Sequence, residues 1–146
     1  MPPGLFDPLR GNSYLIGMEI SHVKEVCLYI PDLDLAEDFY HAKLGLPVIS
    51  KVPGRHVFFR VGSTVLLCFI PEVTKAEKTL PPHFAHGKQH LAFEVPDYEG
   101  WKLRLEELGI AITHVQDWPR GKESMYFDDP FGHVLEMVPP GLWDPS

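Results

Sequence analysis

Basic residues are scarce in this chain. Thirteen Lys and Arg stand against twenty Asp and Glu, a formal charge of −7 with a pI near 5.5, and no run of cations is available to neutralise phosphates. This argues against a nucleic-acid surface and against an anionic-membrane binder, and leaves a small molecule or another protein as partner. No apolar stretch approaches the roughly 18 residues that span a bilayer. The opening "MPPGLFDPLRGNSYLIG" has neither a basic n-region nor an apolar h-region, so a cytoplasmic address is expected. Cysteine is nearly absent: Cys27 and Cys68 make one possible pair without CxxC spacing, which fits reduced, half-buried thiols better than a disulfide framework or a zinc site.

What is present is an internal echo. The chain has 146 residues, 45% of them apolar, enough for one well-buried domain. Within it "EVCLYIPDLDLAEDFYHAKLGL" (25–46) is matched by "HLAFEVPDYEGWKLRLEELGI" (90–110), and self-similarity of this kind marks repeated architecture. Val26, Leu28 and Ile30 correspond to Leu91, Phe93 and Val95, a period-2 apolar face that predicts a strand in each half. After Pro31-Asp32 and Pro96-Asp97 the period changes. Leu35, Ala36, Phe39, Tyr40 and Leu44 fall at helical spacing, as do Trp101, Leu105 and Leu108, and each run stops at a glycine, Gly45 or Gly109.

Shorter strand-like runs follow each helix: "PVISKV", "HVFFRV" and "STVLLCFIP" in the first half, "AITHVQ", "ESMYFDD" and "HVLEMVP" in the second. The prediction is an α+β domain of two tandem βαβββ modules, about 20–75 and 89–141, joined by a linker over about 76–88. Each module is too small to bury a face alone, so the two should pair.

The paired strand-Pro-Asp-helix blocks, the His-opened "HLAFEV" and the "SMYFDDPFGHVLEM" segment resemble the vicinal oxygen chelate superfamily, which includes glyoxalase I, fosfomycin-resistance enzymes, extradiol dioxygenases and bleomycin-binding proteins. The resemblance implies a cup-shaped mixed sheet with helices outside and a divalent metal on the inner face, held by residues of the first and last strands. Carried onto this chain, the four ligand positions read Glu25, Leu67, His90 and Glu136: three competent, one apolar. Taken alone, Glu25 is an ordinary solvated strand residue and His90 an ordinary hydrogen-bonded histidine. Glu136 differs, because it interrupts an apolar final strand where an unpaired carboxylate is costly. Metal ligation and an ion-paired polar cluster are the two readings of the three together.

Strand parity turns Glu25, Cys27 and Tyr29 toward the cup, and likewise His90, Ala92 and Glu94. Glu25, Glu94 and Tyr126 are candidate catalytic groups, the two carboxylates as general bases. Cys27, Tyr29, Phe58, Leu67 and Phe69 are candidates to line a substrate pocket. Arg120, in the "DWPRG" turn, is either a clamp for an anionic substrate group or an exposed loop residue. His22 is a reserve ligand whose parity is wrong without a bulge. His83 and His86 lie in the connector, and His133 is read as a turn residue bonded locally. One imidazole and two carboxylates suit Mn²⁺, Ni²⁺, Co²⁺, Zn²⁺ or Mg²⁺ acting as a Lewis acid, and Fe²⁺ less well. The expected function is a metal-dependent lyase or isomerase acting on a small substrate that chelates through vicinal oxygens. The alternatives are a metal-free binding protein of the bleomycin-resistance type and an extradiol-type dioxygenase. A homodimer is expected from the resemblance, with modules paired either within or across chains.

Overall fold

The computed structural model describes residues 17–145. The first half runs β1 (Glu25–Tyr29), α1 (Leu33–Ala36) widening directly into a π-helix (Glu37–Lys43), β2 (Val48–Val52), β3 (His56–Val61), β4 (Thr64–Phe69) and the short α2 (Pro71–Thr74). The second runs β5 (His90–Glu94), α3 (Tyr98–Glu107), β6 (His114–Trp118), a 3₁₀ turn (Pro119–Gly121), β7 (Lys122–Asp128) and β8 (Val134–Val138). The strands form two four-stranded sheets ordered β1-β4-β3-β2 and β5-β8-β7-β6. In each the first strand runs parallel to the last, and the other pairs are antiparallel. These are the two βαβββ modules the repeat predicts.

The Pro-Asp echo has a local cause. Each aspartate is the N-cap of the helix that follows: Asp32 accepts the Leu35 amide at 3.0 Å and Asp97 the Gly100 amide at 3.0 Å, satisfying a donor that the first helical turn leaves free. The glycine at the other end works with it. Gly109 has φ +71°, its amide reaches the Glu106 carbonyl, and the Ile110 amide reaches back to Leu105, a Schellman closure that needs a left-handed residue.

The helix-facing residues of both sheets build one core. Leu28 and Ile30 of the first module, with Val57, Phe59, Leu66 and Cys68, join Phe93, Val95, Met125, Phe127, Leu135 and Met137 of the second. Burial pushes the Cys68 thiol pKa well above its ordinary value, so it behaves as a small apolar residue. Two expectations are corrected. Leu35, placed on the buried helix face, is 42% exposed, and Leu33 is buried in its stead. At 100° per residue Leu35 lies at the edge of the face that Leu33, Ala36, Phe39 and Tyr40 bury; beyond it the helix widens, the Leu44 amide bonding the carbonyl five residues back, at Phe39. The strand expected at "AITHVQ" lies later, at His114–Trp118, because its ladder opens with His114 opposite Tyr126.

A buried polar network joins the modules. The Tyr40 hydroxyl, on the first module's π-helix, donates to Asp129 Oδ2 at 2.6 Å, while Asp129 Oδ1 accepts the Phe131 and His133 amides at 2.9 and 2.8 Å. Burial, then the Asp129 charge, drives the Tyr40 pKa far upward, so the phenol stays protonated and donates. Substituting Tyr40→Phe removes one hydrogen bond to a charged acceptor and leaves the two amide donors in place. The expected loss is about 2 kcal/mol of unfolding free energy, read by urea denaturation; an unchanged midpoint would mean that the bond contributes nothing net.

Candidate functional site

Alternation divides each sheet into a helix-facing side and an opposite side. On the second module the opposite side carries His90, Ala92 and Glu94 of β5, Val134, Glu136 and Val138 of β8, Ser124 and Tyr126 of β7, and His114, Gln116 and Trp118 of β6. The register pairs Ala92 with Glu136, Glu136 with Tyr126, and Tyr126 with His114. His90 and Glu136 meet there: His90 Nε2 lies 3.1 Å from Glu136 Oε1, with the imidazole half exposed and the carboxylate 7% exposed.

The other ring nitrogen decides what this contact means. His90 Nδ1 lies 2.9 Å from the Val134 carbonyl oxygen, which can only accept, so Nδ1 carries the proton. In the neutral ring Nε2 is then a bare lone pair pointed at a carboxylate oxygen. Two acceptors at that distance repel unless a proton or a cation stands between them. The spacing fits a cation, since two ligand atoms each about 2.1 Å from one ion and near a right angle apart are separated by about 3 Å. A histidine whose far nitrogen is committed to a carbonyl is the usual arrangement of a metal-binding imidazole.

The neighbours orient the pair. Tyr126 stacks on His90, with centroids 5.8 Å apart, and lies tilted against His114 at 5.7 Å. Burial first, then the charge of Glu136 and a hydrogen bond to it, raise the Tyr126 pKa, against an opposing bond from Ser124. Tyr126 is thus a proton-holding phenol that donates toward Glu136. Ser124 in turn accepts Trp118 Nε1–H at 2.9 Å, so a row of polar groups runs from β6 to the carboxylate. Trp118, read from the sequence as a turn residue, is a strand residue of this row, edge to face with Trp143. His114, Gln116 and Ser124 were not singled out either. The alternation His114, Gln116, Trp118 in "THVQDW" is the signal that marks the first two.

Glu25 does not join His90 and Glu136 within one chain. No three His, Cys, Asp or Glu side chains converge among the described residues. The reason is geometric: the free edge of β1 meets the head of β5 at Tyr29, whose amide donates to Gln89 Oε1 at 3.1 Å, and Glu25 begins the strand four residues earlier, about 13 Å away at 3.3 Å per residue. Glu25 is exposed, as is His22, which precedes β1. Glu94 is also exposed and borders an apolar groove with Leu44, Leu46, Trp101 and Met137. Arg120 sits at φ +65° in the turn after β6, exposed, beyond the row of polar groups.

The first module has the same frame and a different filling. Leu67 stands opposite Cys27 and Phe58 as Glu136 stands opposite Ala92 and Tyr126, so the apolar residue does occupy the fourth position. Phe69 packs against Tyr29, Phe58 and His56, with the Arg55 guanidinium 5.3 Å from its centroid and His83 at 5.1 Å. The connector holds this wall shut through Glu77, which accepts from Arg55 Nε at 2.9 Å. Phe69 and Leu67 are buried there. Cys27 stays a thiol: burial raises its pKa, a Tyr29 hydrogen bond opposes this, and the Glu25 charge adds to the rise.

Comparison with known proteins identifies the family of the fold. Residues 19–137 match the family described as Glyoxalase/Bleomycin resistance protein/Dioxygenase superfamily. The chain is 30% identical to metallothiol transferase FosB of Staphylococcus epidermidis, over 82% of each chain. It is 29% identical to glutathione transferase FosA of Serratia marcescens, over 81% of this chain and 80% of that one. The crystal structure of lactoylglutathione lyase from Agrobacterium tumefaciens superposes with a TM-score of 0.82 at 37% identity, covering 88% of this chain and all of that one.

Leu67 provides a control for Glu136 inside the same molecule. A buried carboxylate kept for function costs stability that an apolar residue of similar volume returns. Glu136→Leu is therefore expected to melt at or above the wild-type temperature, by about 1 kcal/mol in free energy. A clear fall in melting temperature would assign Glu136 to the scaffold instead.

Proposed function

The chain belongs to the Glyoxalase/Bleomycin resistance protein/Dioxygenase superfamily, and from that premise we propose that it is a metal-dependent enzyme acting on a small substrate that chelates through vicinal oxygens. The observation that carries this is the His90 Nε2 to Glu136 Oε1 approach of 3.1 Å with Nδ1 already committed. His90 and Glu136 would hold a divalent cation, with Glu25 as the third ligand. The hard, oxygen-rich donor set favours Mn²⁺, Ni²⁺, Co²⁺, Zn²⁺ or Mg²⁺ over Fe²⁺. When bound, such a cation supplies Lewis acidity that draws charge from substrate oxygens.

The chain's own groups supply the rest. Tyr126 holds its proton beside Glu136 and fixes the carboxylate; His114, Gln116, Trp118 and Ser124 form the polar wall along which a substrate lies. Glu25 and Glu94 are the carboxylates available as base. Proton transfer of the lyase or isomerase kind is the chemistry this set fits best. A second reading is transfer of a thiol, favoured by two relatives, a metallothiol transferase and a glutathione transferase.

Because Glu25 lies at the far end of its own β1, we assign it to the site of a second copy, which makes the active unit a homodimer with two shared centres. Titration with Mn²⁺, Co²⁺, Ni²⁺ and Zn²⁺ is expected to show one cation per chain, lost in His90→Ala and Glu136→Ala and weakened about 10-fold or more in Glu25→Ala. A wild-type protein that takes up none of these ions leaves the metal-free binding protein as the surviving account. Co-refolding Glu25→Ala with Glu136→Ala separates the two pairings. Across chains, each mixed dimer regains one intact centre; within chains, none does, so recovery of Co²⁺ absorption in the mixture alone identifies sharing.

A further inference from the structure

We infer that His133 is a positioning residue for His90, acting through the Gln89 amide at the head of β5, one residue before His90. The sequence places His133 in the turn before β8, where a locally bonded histidine is expected. The structure gives it long-range partners instead. His133 is 3% exposed, and both ring nitrogens are engaged: Nδ1 accepts the Gln89 amide at 3.0 Å, and Nε2 donates to the Tyr29 carbonyl at 2.8 Å. These partners fix one neutral tautomer, the Nε2–H form, opposite to that of His90.

Gln89 directly precedes His90, and Val134 directly follows His133. The Val134 amide donates to the Gln89 carbonyl at 2.8 Å, and the Val134 carbonyl accepts His90 Nδ1–H at 2.9 Å. One buried ring therefore holds the Gln89 amide at the head of β5, next to His90, and belongs to the residue that precedes Val134, whose carbonyl sets the His90 tautomer. Asp129 holds the ring's own backbone in place, through the His133 amide at 2.8 Å and the His133 carbonyl, which accepts the Asp129 amide at 3.0 Å. Tyr40 anchors Asp129 from the other module. The chain of contacts runs from Tyr40 through Asp129, His133 and the Gln89–Val134 bond to His90. Without the ring the Gln89 amide and the Tyr29 carbonyl lose their shared partner, the head of β5 that carries His90 is free to shift against Val134, and Nε2 no longer has to be the bare nitrogen.

The functional consequence rests on His90 being a ligand, but the tautomer of His90 can be read without any metal. Three variants separate the bonds. His133→Asn places an oxygen where Nδ1 stood and keeps the Gln89 acceptor; His133→Gln reaches toward Tyr29 but not Gln89; His133→Ala keeps neither. Long-range ¹⁵N–¹H correlation spectra of the metal-free protein, recorded at alkaline pH where imidazole rings are neutral, are expected to show His90 as the Nδ1–H tautomer in wild type and His133→Asn. Mixed tautomers are expected in His133→Gln and His133→Ala. Co²⁺ affinity should fall about 10-fold in the latter two and stay close to wild type in His133→Asn. Tyr40→Phe should lower stability without changing the His90 spectrum. Retention of the pure Nδ1–H form in His133→Gln or His133→Ala overturns the inference, and so does its equal loss in all three variants, which a general scaffold role predicts. If His133→Ala does not fold, the Asn and Gln pair alone decides. A wild type that binds no Co²⁺ but shows the expected tautomer pattern overturns the metal centre and leaves the positioning role standing.

Discussion

Two lone pairs 3.1 Å apart, one on His90 and one on Glu136, require a positive charge between them, and much of the second module is arranged around that requirement. The Val134 carbonyl removes the easy way out by occupying Nδ1. Burial of Glu136 removes another, because a carboxylate that is 7% exposed cannot turn to water. Tyr126 stands opposite Glu136 in the ladder, and Oε1 faces the imidazole. What can satisfy the contact is either a proton on His90 or a cation from solution, and the half-exposed ring leaves the approach open. The β5–β8 register, with Ala92 opposite Glu136, is what makes the meeting possible: a one-residue slip sends Glu136 into the core.

The two modules show what a duplicated frame keeps and what it releases. Kept are the elements that local physics demands: the aspartate caps, the left-handed glycines, the period-2 face against the helices and the parallel pairing of first and last strands. Released is the side away from the helices, where no core constrains side-chain type. There the second module places His90, Glu136, Tyr126 and His114, and the first places Leu67, Phe58, Phe69 and His56 under a connector tied down by Arg55 and Glu77. The apolar residue at position 67 fits that setting, because a carboxylate beneath Phe69 and His83 would be buried with no donor set of the kind Glu136 has.

Features with a short-range cause were legible in the sequence. Pro-Asp before a helical run and Leu-Gly after it predict both helices to within a few residues, and alternation sorted the strand faces correctly, including the equivalence of Leu67 and Glu136. Features that depend on non-local geometry were not. The π-helix is invisible to a 3.6-residue template, and the choice between Leu33 and Leu35 for the buried face depends on how the helix lies on the sheet. Trp118 precedes a proline and looks like a turn, yet its ladder with Lys122 keeps it in β6. The partners of His133 are 44 and 104 residues away, beyond any local pattern. The position of Glu25 follows from parity, but its distance from His90 depends on how β1 meets β5, which only the fold sets.

The identity of that third residue bears on what the site can accept. With a divalent cation, one neutral imidazole and two carboxylates, the centre carries no net charge, whereas two imidazoles and one carboxylate would leave it at +1. At an effective dielectric of about 20, one unit of charge at 4 Å is worth about 4 kcal/mol, enough to decide between a neutral or singly charged chelating group and a dianionic one. The surroundings do not restore the missing positive charge: Arg120 lies out in the turn, and the inner wall beside Tyr126 is built from His114, Gln116, Ser124 and Trp118. As the proposed third ligand, Glu25 would bias the centre away from multiply charged ligands and toward substrates whose negative charge develops only as the proton leaves, which is where Lewis-acid assistance is most effective.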